Sequence, residues 1–157
     1  MSQKIQIHFR ANVIPVAQPR QKHAFNKNIG RVINYIDKGN PVVAYKHAVQ
    51  AALLEMWGTK QAPLDIPLEI RLHFVFPRPK KYIWKKREMP PLPHTSKPDF
   101  DNLAKSTCDA LNGLLWRDDS LICKATIIKT IASGTEIPHV YVSVCSYDEY
   151  ECSINNF

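Results

Sequence analysis

The sequence lacks several patterns that mark common protein classes, and each absence narrows what the chain can be. Within 157 residues there is no signal-peptide pattern and no apolar run of about 18 residues, so we expect an intracellular protein without a membrane span. The four cysteines form no C-x-x-C pair, which argues against a zinc site or a disulfide framework. No glycine-rich phosphate loop occurs, and this counts against a nucleotide-binding enzyme.

Positive charge is abundant, but it is unevenly distributed along the chain. The net charge is +7, from 21 Lys and Arg against 14 Asp and Glu. Residues 1–40 hold seven basic residues and one acidic residue, and residues 71–97 hold eight basic residues and one acidic residue. Residues 98–157 hold four basic residues and nine acidic residues. This separation suits a protein that holds a polyanion with basic segments and acts on it at an acidic centre. We therefore expect nucleic acid as the partner.

Two pairs of aspartates form the acidic centre of the sequence. Asp99 and Asp101 follow Pro98 at positions i and i+2, and Asp118 and Asp119 form the second pair. Side chains two residues apart share a face only in extended chain. A proline disfavours helical geometry in the residue before it, so the first pair can stay extended, with either Asp99 or Asp101 as the cap of a following helix.

A helical pattern follows the first pair. Its apolar positions recur at three- and four-residue steps: Leu103, Thr107, Ala110, Leu111 and Leu114. Asn112-Gly113 predicts the end of the helix, and Lys105 lies four residues after Asp101. Trp116 and the apolar strand after it would anchor a return of the chain toward the first pair. Clustered carboxylates raise each other's pKa unless a cation is present, and Mg²⁺ prefers hard oxygen ligands. The residues therefore predict a divalent-metal site at a helix start.

The same residues allow a purely structural interpretation. An aspartate before a helix is most often only a cap, and Asp118-Asp119-Ser120 is an ordinary turn composition. A non-catalytic DNA-binding protein therefore stays open beside a metal-dependent enzyme. A further alternative is another metal-dependent phosphotransfer enzyme that uses the D-x-D pair for a nucleotide, against which the missing glycine-rich loop counts.

A family resemblance extends this argument. The string KPDFDNLAKSTCDALNGLLWRDDS, at 97–120, closely resembles the signature of the RusA family of Holliday junction resolvases, and PVAQPR at 15–20 adds a looser likeness. The resemblance implies a structure-selective, magnesium-dependent endodeoxyribonuclease, in which Mn²⁺ can replace Mg²⁺. It also implies branched DNA, a four-way junction, as substrate, and a homodimer whose two-fold symmetry gives paired nicks. The protein would act in the cytoplasm, encoded by a bacterium, phage or prophage.

The resemblance also assigns roles by position in the motif. Three aspartates would bind the metal and take part in catalysis: Asp99, Asp101 and Asp119. Lys105 would support cleavage. The spacing before the second acidic pair varies among family members, so Asp118 is the alternative third ligand. If Asp119 is the ligand, Asp118 would lie beside the metal ligands without binding the metal, as would Asn102.

Two basic segments are the candidate DNA contacts. The irregular stretch 12–28 carries Arg20 and Lys22, and it fits either a surface loop or an arm that contacts the DNA backbone near the site. The segment RPKKYIWKKR, at 78–87, contributes five further candidates: Lys80, Lys81, Lys85, Lys86 and Arg87. Basic groups neutralise phosphates and aromatic rings stack on unpaired bases. Trp84 fits either such a stacking role or packing onto the core.

The remaining pattern predicts an α+β fold, a mixed β-sheet with two main helices packed against it, in a dimeric protein. Alternation predicts strands over 4–10, 66–76, 121–131 and 137–146, with a short one at 31–36. Residues 132–135 would join the last two long strands as a hairpin. A helix is predicted from Pro41 to Trp57, between Asn40 and Gly58. We expect one domain over 1–157 with a frayed acidic and polar tail at 147–157.

Overall fold

The computed structural model describes residues 5–20 and 22–147. The strands are β1 (Gln6–Ala11), β2 (Lys22–Asn26), β3 (Arg31–Tyr35), β4 (Leu68–Phe76), β5 (Leu92–Pro93), β6 (Ile122–Ile131) and β7 (His139–Ser146), and the helices are α1 (Pro41–Trp57) and α2 (Phe100–Leu111). Short 3₁₀ turns cover Lys80–Tyr82 and Asp119–Leu121. The predicted frayed tail lies, from residue 148 onward, outside the described residues, and the single domain over 1–157 stays a prediction. Neither helix in the described ranges is long and apolar enough to cross a membrane.

Five strands form one mixed sheet in the order β1-β7-β4-β6-β5, while β2 and β3 form a separate two-stranded ribbon. β4 runs parallel to β6 and antiparallel to β7. The predicted mixed sheet is confirmed, but the predicted hairpin between the last two strands is wrong, because β4 lies between them. β4 buries Leu68, Leu72 and Phe74 completely, so it takes the centre of the sheet, and residues 132–138 cross over it.

Helix α1 has the predicted bounds. The side chain of Asn40 accepts a hydrogen bond from the backbone N–H of Val42 at 3.0 Å, Pro41 takes a first-turn position, and the helix ends at Gly58, whose φ is +82°. The buried positions are Val42, Tyr45, Val49 and Leu53. At the end of the helix Met56 is exposed, whereas Trp57 packs against the core.

Helix α2 confirms the predicted pattern except at Leu114, which lies beyond the end of the helix. It buries Leu103, Ser106, Thr107, Ala110 and Leu111. The hydroxyl groups of Tyr45 and Thr107 share a buried hydrogen bond of 2.7 Å, which joins the two helices. Both helices contribute to one core with β1, β4 and β7, so the predicted arrangement of two helices against a mixed sheet is confirmed. Alternate strand residues such as His8 and Arg71 are exposed.

Candidate metal and nucleic-acid site

Asp99 and Asp101 lie at the start of α2 and line one pocket together. Asp99 is the N-cap residue, in extended geometry (φ −71°, ψ 147°), but its side chain makes no capping hydrogen bond. Asp101 lies in the first helical turn. The extended backbone expected for both aspartates is therefore found only at Asp99. Their pocket is also lined by Thr95, Ser96, Lys97, Phe100 and Lys129. Both aspartates are exposed, so the carboxylates are accessible to an external ligand.

Lys129 fixes the chain segment that presents Asp99. Its ammonium group donates to the carbonyl oxygens of Ser96 at 2.9 Å and of Pro98 at 2.6 Å. The backbone carbonyl of Lys129 also accepts from the N–H of His94 at 3.2 Å. Strand β6 therefore holds the approach to α2 through both its backbone and this lysine, and places a positive charge beside the acidic pair.

The N-terminal loop, residues 12–20, is fixed against α2 on the other side of Asp99. The hydroxyl of Ser106 donates to the carbonyl of Val16 at 2.6 Å, and the N–H of Gln18 donates to the carbonyl of Asn102 at 2.9 Å. As a result Arg20 and Asn102 line a pocket with Asp99. A neighbouring pocket is lined by Gln18, Pro19, Arg20, His23, Asn102 and Lys105.

The two members of the second acidic pair have different partners. Asp118 caps the 3₁₀ turn, because its side chain accepts from the N–H of Ser120 at 2.9 Å. The hydrogen bonds with Ser120 hold the pKa of the Asp118 carboxyl below its usual range. Asp119 accepts instead from the indole N–H of Trp116 at 2.7 Å, and Trp116 is fully buried. Trp116 thus anchors the segment that carries Asp119.

Asp119 lies beside α2, but it does not line the pocket of the first pair. Its charge acts on Cys108: burial, and after it the charges of Asp119 and Asp109, raise the pKa of that thiol to about 12. Cys108 follows Asp101 by seven residues, about two helical turns, and therefore lies on the same side of the helix. Within residues 5–20 and 22–147, no three His, Cys, Asp or Glu side chains form a group that could hold a metal ion.

The basic segment 78–87 is folded around Arg78 and Trp84. The Arg78 guanidinium donates to the carbonyls of Tyr82, Pro90 and Ala132 at 2.8 to 2.9 Å. Trp84 is half-buried, and the guanidinium carbons of Arg78 and Arg87 lie 5.0 and 3.7 Å from its ring centroid. Trp84 therefore packs with two arginines rather than within the core, and its stacking on DNA bases stays a prediction. The candidate DNA contacts of this segment are all exposed: Lys80, Lys81, Lys85, Lys86 and Arg87.

A comparison with protein-family models matches residues 12–145 to endodeoxyribonuclease RusA. The match runs from the N-terminal loop to β7 and includes both acidic pairs. The chain belongs to the RusA family. This match confirms the family resemblance. RusA proteins are endodeoxyribonucleases that resolve Holliday junctions and typically depend on a metal ion. No curated protein matches the sequence.

Among the pocket-lining residues that were not sequence-based candidates are Gln18, His23 and Lys129. Gln18 lies within the PVAQPR segment, and His23 follows shortly after it, where the sequence showed only an irregular basic loop. Lys129 interrupts the apolar run from Ile127 to Ile131. A lysine between apolar residues of a strand is the one signal that could have identified it, since lysines that are partly buried need partners.

Proposed function

We propose that this member of the RusA family is a structure-selective endonuclease that nicks four-way DNA junctions by magnesium-dependent phosphodiester hydrolysis. The observation that carries the proposal is the shared pocket of Asp99 and Asp101, with Lys105, Asn102 and Arg20 around it. Carboxylates at a helix start beside several bases suit a metal ion together with a phosphate. The charge distribution of the chain supports the same partner, since its basic residues are concentrated in two segments that both precede the acidic site in sequence.

The chemistry of the donor set fits Mg²⁺, with Mn²⁺ as a substitute. Mg²⁺ is usually bound through one or two carboxylates, with waters and substrate phosphate completing the coordination. Asp99 and Asp101 can supply those two, because both are exposed and Asp99 makes no capping hydrogen bond. We assign the third carboxylate to Asp119 rather than Asp118, because the charge of Asp119 acts on Cys108, on the same side of α2 as Asp101, whereas Asp118 caps a turn. Asp119 would have to approach the pair when metal and DNA bind.

The remaining residues act on the substrate through charge and position. A bound metal would orient the attacking water and stabilise negative charge on the phosphate. Lys105 and Arg20 would hold the phosphate and stabilise the charge that develops on its oxygens. Asn102 holds the N-terminal loop in place through its carbonyl bond to Gln18, and Asp118 keeps the turn that carries Asp119. The other basic residues proposed to contact DNA are Lys22, Lys80, Lys81, Lys85, Lys86 and Arg87.

The proposal includes a two-fold homodimer, one domain per chain, acting in the cytoplasm of a bacterium or from a phage or prophage gene. A four-way junction needs paired cuts on symmetric strands, and an isologous dimer presents two identical sites in the matching symmetry. The symmetry of the substrate and the membership in the family support this assembly.

A nicking assay on a synthetic four-way junction, run beside a linear duplex and with and without Mg²⁺, tests the proposal. Asp101→Asn should abolish nicking and leave junction binding intact or tighter, because a carboxylate that repels phosphate is lost. Asp109→Asn is the matched control, since Asp109 lies on the same helix but pairs with Lys46 at 3.0 Å. Wild-type nicking by Asp101→Asn in Mg²⁺ would refute the assignment.

A second candidate is a non-catalytic DNA-binding protein whose aspartates serve as caps and turns. Asp118 does cap a turn, and Asp99 takes the N-cap position of α2; these positions favour that candidate. It predicts junction binding with no nicking at any Mg²⁺ or Mn²⁺ concentration. A nucleotide-dependent phosphotransfer enzyme would instead turn over nucleotide in the absence of DNA.

A further inference from the structure

The ribbon formed by β2 and β3 stands apart from the rest of the fold. Its strands pair with each other and lie outside the five-stranded sheet. Five large apolar side chains are nevertheless exposed on it: Phe25, Ile29, Val32, Ile33 and Tyr35. A two-stranded ribbon alone is only marginally stable in water, and clustered exposed apolar groups mark interaction surfaces. The ribbon therefore has the character of a binding element.

One face of the ribbon continues from the candidate site. Phe25 is paired directly with Val32, and His23 with Asn34. Residues two apart share a face of a strand, so Phe25 lies on the same face as His23, about 7 Å further along. His23 lines the pocket that also holds Lys105 and Asn102. Phe25 is 62% exposed and Val32 63% exposed, so an apolar patch extends outward from the site.

The charge of the ribbon indicates which partner this patch meets. Lys22, Lys27 and Arg31 are exposed, and Asp37, which pairs with Lys22, is the only acid between residues 20 and 40. Basic side chains beside an aromatic patch suit nucleic acid, since the basic groups bind phosphates and the aromatic rings stack on nucleobases. A two-fold contact between ribbons of two copies is disfavoured, because it would bring the like charges of Lys27 and Arg31 together.

We propose that Phe25, which is paired with Val32 across the ribbon, stacks on the base pair that is exposed at the branch point of junction DNA, while Lys27 and Arg31 contact the adjacent phosphates. This inference rests on the proposed function and specifies how the same site selects its substrate. A linear duplex stacks its internal base pairs on one another and offers no such face within the helix. The ribbon thereby makes binding selective for branched DNA.

Binding measurements in EDTA, where no cleavage occurs, test this role with a four-way junction and a linear duplex of the same sequence. Phe25→Ala should weaken junction binding about tenfold, which is the size expected for one lost base–aromatic stack, and leave duplex binding within about twofold. Phe25→Trp keeps an aromatic face and should keep the selectivity. Met56→Ala, at an exposed apolar residue on α1, is the control and should change neither affinity.

The charged residues give a contrasting result. The double variant Lys27→Gln/Arg31→Gln should weaken binding to both DNAs alike, and reduce the slope of log affinity against log salt by about two.

Several outcomes would overturn the ribbon proposal. It fails if Phe25→Ala leaves the junction-to-duplex affinity ratio unchanged, or if Phe25→Trp loses as much selectivity as the alanine variant. It also fails if Phe25→Ala converts a wild-type dimer to monomers in sedimentation, because the patch would then bind a second copy. A wild-type protein that binds junctions selectively without nicking them would refute the nuclease function and leave the ribbon proposal standing.

Discussion

Replacing Lys129 with methionine removes the ammonium group that ties β6 to the segment presenting Asp99. Two charge-assisted hydrogen bonds are lost, to Ser96 at 2.9 Å and to Pro98 at 2.6 Å. Hydrogen bonds to charged groups contribute about 1.5–3 kcal/mol each. The contact with Ser96 is exposed, so water replaces much of it, whereas the contact with Pro98 is partly buried. We therefore expect the free energy of unfolding to fall by about 2 kcal/mol.

The larger effect should be on activity. Once residues 96–98 are released, Asp99 is no longer held in register with Asp101, and a displacement of about 1 Å can reduce a rate roughly 100-fold. We expect Lys129→Met to nick junctions about 10 to 100 times more slowly, and to need more Mg²⁺ for half-maximal rate. Lys129→Arg keeps both the charge and the donors, so it should restore most of the activity.

Single-turnover nicking across a Mg²⁺ titration, together with urea denaturation, separates positioning from stability. Lys124→Met is the control, because Lys124 lies on the same strand but pairs with Glu69 at 3.2 Å near the surface, a contact worth less than about 1 kcal/mol. If Lys129→Met kept the wild-type rate and the wild-type Mg²⁺ requirement, the positioning role of Lys129 would be refuted.

Three further predictions concern stability and reactivity. Tyr45→Phe removes the buried hydrogen bond to Thr107 and should lower the urea-derived free energy of unfolding by about 1–2 kcal/mol, with nicking unchanged. Burial lowers the pKa of His73 below its ordinary 6.5, so the unfolded state binds more protons and stability should fall as pH drops through about 6.5, a dependence that His73→Gln should flatten. Cys108, with its raised pKa, should be alkylated far more slowly than the exposed Cys123 in peptide mass spectrometry.

The helices could be predicted from sequence because their determinants are local. The bounds of α1 follow from the Asn40 cap, Pro41 and Gly58, which all lie within or beside the helix itself. Helix α2 follows from its apolar steps and from Gly113, whose φ is +76°. In both cases the pattern of period 3.6 and the end signals specify the element without knowledge of the rest of the chain.

The pairing of strands was not predictable in the same way. Alternation located β6 and β7, but not the insertion of β4 between them, because strand order depends on contacts between segments far apart in sequence. The strand β2 was missed, since KHAFN is largely polar or small and shows no alternation with a buried face. The strand is formed through backbone pairing with β3 rather than through burial of alternate side chains. The ribbon is exposed, so no core imposed a hydrophobic period on it.

The acidic residues of the candidate site could be found from sequence, and so could Arg20 and Lys105, but Lys129 could not. Asp99 and Asp101 occur in a recognisable motif, whereas Lys129 comes from a strand 28 residues after Asp101. The interpretation of Asp101 as extended failed because the helix begins at Phe100. Both carboxylates still line one pocket, since the N-cap and the first helical turn lie side by side at the start of a helix.

The arrangement of charge around the acidic pair explains how one small surface can receive both a cation and a polyanion. Asp99 shares its pockets with three bases from different parts of the chain: Arg20, Lys97 and Lys129. These bases offset the repulsion between the carboxylates and an approaching phosphate. A bound Mg²⁺ would shift the local balance further toward positive charge and so strengthen phosphate binding at the point of cleavage. Junction affinity should therefore rise with metal in the wild-type protein, and this dependence should weaken when Asp101 becomes asparagine.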